Sequence, residues 1–483
     1  MATVTERLER VLEREAPSWG IRPVPPDRRR LSGWDFGVLW GDLAIGLLVL
    51  LTGALLVPSL GLPIALLAIA IGTLIGCIPL ALVGLAGARE GVPGMVLFRP
   101  VLGREGSYLP SVLNIVTLVG WTGFEFWAMS LVANEVSARV FHLSSYWLWL
   151  AVVAVVCTAL ALGGPILVVR RWLERFGAWV VVGVGAWITY RVLARVSLAT
   201  LWHRPGTGGL PFWLAVDLVV VMPVSWLPLV ADYNRFARKD RSSAAGTFCG
   251  YAFGNAWFYA LGALLVLGAG LSYATPAGLG TAIGSLAGGW VVLVALLVGE
   301  TDEAFADIYS SAVSSQNLEA RIPQRGAVMS IAAAGVALAV WLGLRPHVAL
   351  GNYEAFLFLM GSVFVPLFGL FVADYFILHG GRSRRDEMFD AEDGGRSVRL
   401  NVRALFAWII GFLVYQWCVP VGPAAWQSAM KTLLHSWLRL PFPLAHSSAG
   451  ASLPAFCAAA VLYLILCAPR ALRLVEGQGG RVP

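Results

Sequence analysis

Charge is what this sequence has least of. Only 13% of its 483 residues are Asp, Glu, Lys or Arg, whereas 58% are hydrophobic. A soluble domain carries about 25% charged and 45–50% apolar residues. The mean hydropathy of +0.74 agrees. The shortage excludes a soluble enzyme, a disordered chain and a nucleic-acid-binding domain. Long polar stretches are also missing. The longest, 1–33 and 380–402, are each too short to bury a core of their own.

Other absences narrow the reading further. The six cysteines are Cys77, Cys157, Cys249, Cys418, Cys457 and Cys467. None forms a C-x-x-C pair and most lie in apolar runs, so neither a disulfide framework nor a metal site is expected. The N-terminal stretch has no short apolar segment before a small-residue cleavage site, so a removed signal peptide is not expected. G-x-x-x-x-G-K-[ST], H-E-x-x-H and G-x-S-x-G are absent, as is the G-x-G-D of an intramembrane aspartyl protease. The histidines do not cluster. The chain is therefore not expected to be an enzyme.

What is present is apolar runs. They fall at 34–57, 63–87, 110–138, 146–169, 176–197, 212–232, 247–272, 287–313, 326–344, 353–378, 403–422 and 453–469. A helix crosses a bilayer in roughly 20 residues. Twelve spans follow, in an all-α polytopic membrane protein. With the N-terminus in the cytoplasm, 28 of the 35 Lys and Arg fall in inner segments and 7 in outer ones. That asymmetry is the positive-inside rule for twelve spans with both termini cytoplasmic. It also explains the net charge of +7: basic loops face an anionic leaflet, and no nucleic-acid partner is needed.

Ionisable groups inside a bilayer cost roughly 2.5–3.5 kcal/mol each on insertion scales and usually face a cavity or a partner. Here they are Asp42, Glu125, Glu135, Asp217, Asp232, Glu300, Asp302, Glu303 and Asp307. No basic residue lies deep in a span to pair with them, which points to cations, protons or a cationic ligand. Glu300, Glu303, Asp307 and Ser314 share one helix face, with Ser310 and Ser311 beside it and Asp302 off it by about 100° per residue. Trp121 and Glu125 stand at i, i+4, where an aromatic plane and a carboxylate can meet one flat heterocycle. Pro223 and Pro228 bracket Ser225-Trp226 and predict a broken helix, which is tolerated at membrane depth where it lines a cavity. Trp40-Gly41-Asp42 to Gly46 predicts a second unwound segment. The glycine pairs Gly72/Gly76 and Gly250/Gly254 predict close helix packing.

Several of these segments carry a resemblance. They are Gly72-Thr73-Leu74-Ile75-Gly76-Cys77, the loop from Gly84 to Asn114, and Leu118-Val119-Gly120-Trp121-Thr122. Pro223-Val224-Ser225-Trp226-Leu227-Pro228-Leu229 follows, running on to Asp232-Tyr233-Asn234-Arg235-Phe236, then Asp307, Tyr309, Ser310 and Asp374-Tyr375-Phe376. The chain resembles the nucleobase:cation symporter-1 family, the purine–cytosine permeases, over most of residues 20–380. It looks closest to the branch of hydroxymethylpyrimidine and cytosine permeases.

The resemblance implies a LeuT-like 5+5 inverted repeat plus two C-terminal helices. Its parts would be a cytoplasmic segment 1–33, a first repeat 34–200, a second repeat 201–380, a cytoplasmic loop 381–402, spans 11–12 in 403–470 and a tail 471–483. It implies a symporter in the plasma (inner) membrane that imports a pyrimidine-like heterocycle such as hydroxymethylpyrimidine or cytosine by alternating access. Trp40, Trp121, Glu125, Ser225, Trp226 and Asp307 would bind substrate; Asp42, Asp302, Glu303 and Ser310 would couple the cation. Relatives carry Gln or another neutral residue where this chain has Glu125. Hydroxyls are expected near 302–304, where Asp302-Glu303-Ala304 stands. The coupling ion is thus open between Na+ and H+, with no cofactor and no other metal. Thiamine or another cationic heterocycle, and an uncoupled facilitator or channel, are the alternatives. The expected partners are the small heterocycle and the lipid bilayer, around a monomer with an oligomer left open.

Overall fold

The computed structural model describes residues 20–163, 177–270, 275–286, 288–383, 385–389, 398–441 and 450–478. The end of the fifth apolar run (164–169), Arg170, Arg171 and Arg175, residues 1–19, 384 and 390–397 of the 381–402 loop, and tail residues 479–483 lie outside this set. Among the described residues there is no strand, only one isolated bridge from Leu31 to Ala237.

Apolar runs become helices because a chain in lipid must satisfy its own backbone. In chain order they are α1 (Gly33–Asp42), α2 (Leu47–Leu55), α3 (Leu62–Glu90), α4 (Tyr108–Phe141), α5 (Tyr146–Gly163), α6 (Ala178–Leu193) and α7 (Phe212–Ser225). Then come α8 (Val230–Asn234), α9 (Asp240–Ala269), α10 (Gly289–Leu318), α11 (Gln324–Gly343), α12 (Pro346–Phe371), α13 (Val402–Cys418) and α14 (Ser452–Gln478). Both expected breaks are present. The first run splits into α1 and α2, bent by 59°. The sixth splits after Ser225 into α7 and α8.

Among the described residues six helices are long and apolar enough to cross a membrane, or seven with α1–α2 taken as one bent span. Four more apolar helices, within α5, α6, α13 and α14, are shorter. Helix α10 is long enough but carries four acids. The expected twelve thus depends on counting the short helices and the acid-bearing one.

Helices α1 and α2 lie along α9, which also packs on α3. Helix α3 packs in turn on α7, and α4 runs beside α10 and α11. The glycine pairs do what their spacing predicts. A Cβ on Gly250 would overlap the Gly37 carbonyl oxygen, and one on Gly76 would overlap Pro223. Backbones therefore touch across the α1–α9 and α3–α7 seams. Helices α13 and α14 pair with each other, and α14 packs on α12. Asp217 of α7 takes the Ala451 and Ser452 N–H groups at 2.7 and 3.1 Å, so it holds the start of α14.

Candidate functional site

The break between α1 and α2 leaves the first N–H groups of α2 without intrahelical acceptors. Glu300 of α10 supplies one: Leu47 N–H donates to its Oε2 at 2.6 Å. Glu300 is 1% exposed. The positive end of a half-helix, where a LeuT-like site would bind an anion, is thus filled by the protein's own carboxylate. Gly46 makes this approach feasible, since a Cβ there would overlap the carboxylates of Glu303 and Glu300. Asp42, at the end of α1, lies within electrostatic range of Glu300 and Glu303. Asp42 Oδ1, Glu300 Oε1 and Glu303 Oε1 are buried with no hydrogen-bond partner in the chain.

One turn along α10 from Glu303, Asp307 lies in electrostatic range of Glu125 of α4. Both are buried, and Glu125 Oε2 and Asp307 Oδ2 have no partner in the chain. Trp121, one turn before Glu125, stands edge-on to Tyr353 and Phe356 of α12, at 6.1 and 5.4 Å between ring centroids. The Tyr353 hydroxyl lies 2.8 Å from Thr52 Oγ1 and also donates to the Leu48 carbonyl of α2. The start of α2 is therefore held between α10 and α12.

The α7–α8 break closes differently. Leu227 N–H donates to Val224 O, and Leu229 and Val230 N–H both donate to Trp226 O, so the turn satisfies itself. Ser225 Oγ donates to Met222 O at 2.7 Å. Trp226 stands edge-on to Trp40 at 5.8 Å. Trp40 has no exposed surface, and its indole N–H donates to Asn234 Oδ1 at 3.0 Å. It also packs on Tyr233 and Tyr251. Of the six residues expected at the substrate, Glu125, Asp307 and Trp121 lie together. Ser225 and Trp226 line the other break, and Trp40 is locked behind Trp226.

The four residues expected to couple a cation separate into three groups. Asp42 and Glu303 flank the α1–α2 break. Asp302 is off the stripe, as its helical angle predicts, and lies in electrostatic range of Cys157 on α5. Ser310 lies beside Asp232 and Tyr233, nearer one end of the bundle. Among the described residues no three His, Cys, Asp or Glu side chains converge tightly enough to hold a metal ion.

The expectation that no basic residue lies deep in a span to pair with the acids has one exception at a span end, Asp232. Arg99 and Arg235 are buried at the end where α1 begins. Arg99 Nε donates to Asn317 Oδ1 at 2.9 Å. Arg235 lies beside Asp232, which accepts the Gly94 N–H at 2.8 Å. Asn114 donates to Ser314 at 2.8 Å, and Asn317 to Ser107 and Ser111. That end is sealed by amides, hydroxyls and guanidinium groups. Glu135 is also reassigned, because it pairs with Arg139 at 2.7 Å at the far end of α4. No Lys or Arg among the described residues pairs with Asp42, Glu125, Glu300, Glu303 or Asp307. Such buried carboxylates cost several kcal/mol each when ionised alone. Sequence reasoning missed Tyr353 and Phe356, whose i, i+3 spacing marks one aromatic face.

Known proteins share this fold. A family model described as permease for cytosine/purines, uracil, thiamine, allantoin matches residues 23–438. The chain is 23% identical to a hydantoin permease of Microbacterium maritypicum, over 76% of this chain and 77% of that one. It is 24% identical to the cytosine permease of Escherichia coli K12, over 74% and 79%. Among solved structures it is similar to Mhp1, a nucleobase-cation-symport-1 family transporter in a closed conformation with bromovinylhydantoin bound. There the TM-score is 0.73 at 19% identity, covering 95% and 96% of the two chains. The fold is thus the LeuT-like one.

Proposed function

The chain belongs to the permease family for cytosine/purines, uracil, thiamine and allantoin, the nucleobase:cation symporter-1 family, and on that premise we propose that it imports an aminopyrimidine-like heterocycle together with a cation. It is a multi-pass membrane transporter rather than an enzyme. The observation that carries the reading is the Glu125–Asp307 pair, buried and facing across α4 and α10. An aminopyrimidine edge offers an exocyclic N–H donor beside a ring-nitrogen acceptor. A carboxyl group that holds a proton offers the matching acceptor and donor. Glu125 would then replace the amide of relatives without losing the pattern. Trp121 and Trp226 would stack on the ring, with Ser225 at its edge. Cytosine and hydroxymethylpyrimidine both carry this edge.

Asp42 and Glu303, with Glu300, would hold the coupling charge beside the α1–α2 break, as Na+ or as a proton. The sealed end, near which the basic residues gather, would face the cytoplasm of a plasma (inner) membrane, with both termini on that side. Glu300 at the α2 terminus argues against an anionic substrate. The same carboxylates favour one second reading, a cationic heterocycle such as thiamine.

The test is uptake of labelled hydroxymethylpyrimidine, cytosine and thiamine into proteoliposomes, under a sodium gradient and a proton gradient imposed separately. The expected result is accumulation of an aminopyrimidine under one gradient, a fall of at least tenfold in Asp307→Asn, and partial retention in Glu125→Gln. Thiamine accumulation that needs Glu125 would move the assignment to the second reading. Equilibration without accumulation would make the chain a facilitator. Uptake of none of the three by folded protein would sink the pyrimidine assignment.

A further inference from the structure

A cavity of about 610 Å3 lies on the side of the bundle, between α1, α6 and α9. That volume falls in the range of small-molecule sites, roughly 300–1,000 Å3. It exists because α1 and α9 present glycine faces to each other, while α6 stands off. Three exposed aromatics line it: Trp34 of α1 and Trp179 of α6, whose indoles lie 6.5 Å apart at the rim, and Phe253 of α9, near the level of Gly41 and Asp42. Apart from Ser242 and one acid its walls are apolar, with Val182 and Cys249 among them. One acid lines it. Asp42 is 6% exposed, and its Oδ1 has no partner in the chain. From Gly33 to Asp42 along α1 is about 14 Å at 1.5 Å per residue. The groove thus runs from the Trp34–Trp179 pair to a buried carboxylate.

The geometry points to a second ligand site, for a hydrophobic organic ammonium ion whose cationic head pairs with Asp42 and whose apolar body fills the groove between α1, α6 and α9. Charge complementarity selects this occupant over a neutral one. A plain hydrocarbon chain would fill the walls without answering the charge of Asp42, and a buried carboxylate gains from a cation at its side. A two-chain phospholipid does not fit the requirement, because its headgroup would have to lie about 14 Å along the helix from the rim. An occupant would also touch α1 along its length. Helix α1 leads directly into the break beside Glu300 and Glu303, so the ligand would hold that half-helix against α9 and slow uptake by competing with the coupling cation at Asp42 rather than with the heterocycle. Binding itself does not depend on which heterocycle is carried.

Cys249 provides the readout, being exposed within the groove. The full chain with Cys457→Ser and Cys467→Ser, in nanodiscs of phosphatidylcholine and phosphatidylglycerol, is alkylated with N-ethylmaleimide. The probes are dodecylammonium and dodecanol. Dodecylammonium is expected to slow Cys249 labelling at least tenfold, with dodecanol nearly without effect. Asp42→Asn should raise the half-protecting concentration at least tenfold. Val182→Trp, which fills the groove and keeps Asp42, should do the same and guards against a folding defect in the first variant. Equal protection by dodecanol would mean an acyl-chain groove and overturn the proposal. So would protection unchanged in Asp42→Asn, or no protection by either probe. Failure of heterocycle uptake would leave these labelling results untouched.

Discussion

The two broken helices are interrupted by different means, and only the first is bent sharply, by 59°. The α7–α8 break is built by prolines, and its turn satisfies its own backbone through Val224 and Trp226. The α1–α2 break is built around glycine, and the first N–H of α2 depends on a carboxylate from another helix, Glu300. One break is local and self-contained. The other is a tertiary contact between α2 and α10, and it sits among carboxylates with no basic partner. A change of charge in that cluster therefore acts directly on the α2 terminus, whereas the Ser225–Trp226 turn should keep its form through the cycle.

The largest effect should follow from removing the carboxylate on which the first break depends. Glu300→Ala leaves the Leu47 N–H buried without an acceptor, at a cost of about 1–3 kcal/mol, and should lower uptake by one to two orders of magnitude. Glu300→Gln keeps an acceptor and removes the charge. It should hold thermal stability near the parent value while still reducing uptake, because the coupling charge is altered. Equal uptake loss with equal destabilisation in both variants would reduce Glu300 to a helix cap.

Gly46→Ala comes next. Its Cβ would overlap the carboxylate of Glu303, which must swing away. Uptake should fall about tenfold, and the effect should be strongly non-additive with Glu303→Gln in a double-mutant cycle, as for residues in contact. Additive losses would mean that Gly46 acts through backbone conformation instead. Pro228→Ala attacks the second break and should do less. It restores an N–H that lets the helix run on, yet Leu227, Leu229 and Val230 already hold the turn. A loss of two- to fivefold in uptake is expected, and abolition would show that the prolines alone keep that break open.

Much of this contrast was legible in the sequence. Pro223 and Pro228 announce a break because a missing N–H and a steric clash are local properties. Gly41, Asp42 and Gly46 announce the other, and the spacing of Glu300, Glu303 and Asp307 puts them on one face. The offset of Asp302 was legible for the same reason, as helical angle needs no tertiary information. What could not be read is which helix each acid meets. Nothing in Glu300's neighbours says that it caps α2, and nothing near Asp217 says that it caps α14, because both partners are far away in the chain. Trp40 illustrates the same limit. Its position near the first break is a local fact, but its indole N–H is spent on Asn234, which lies beyond the second break.

Asp217 and Glu300 do the same chemistry in different settings, which makes Asp217→Asn the finest test of the comparison. Asp217 accepts two N–H groups at the start of α14, at 2.7 and 3.1 Å, and is 3% exposed. A capping carboxylate contributes about 0.5–2 kcal/mol to the helix it starts, and here it ties a C-terminal helix to α7. Helix α14 packs on α12 and α13, away from the acid cluster. The cap is therefore scaffold. Asp217→Asn still offers one oxygen, so it should lower Tm by a few degrees and change uptake less than twofold, with the same coupling ion. Glu300→Gln should show the inverse ratio, little change in Tm and a large change in uptake. If both variants shift Tm and uptake in proportion, capping alone accounts for both residues. If the ratios invert, a carboxylate at a helix start is scaffold in one place and part of the transport cycle in the other, and its neighbours decide which.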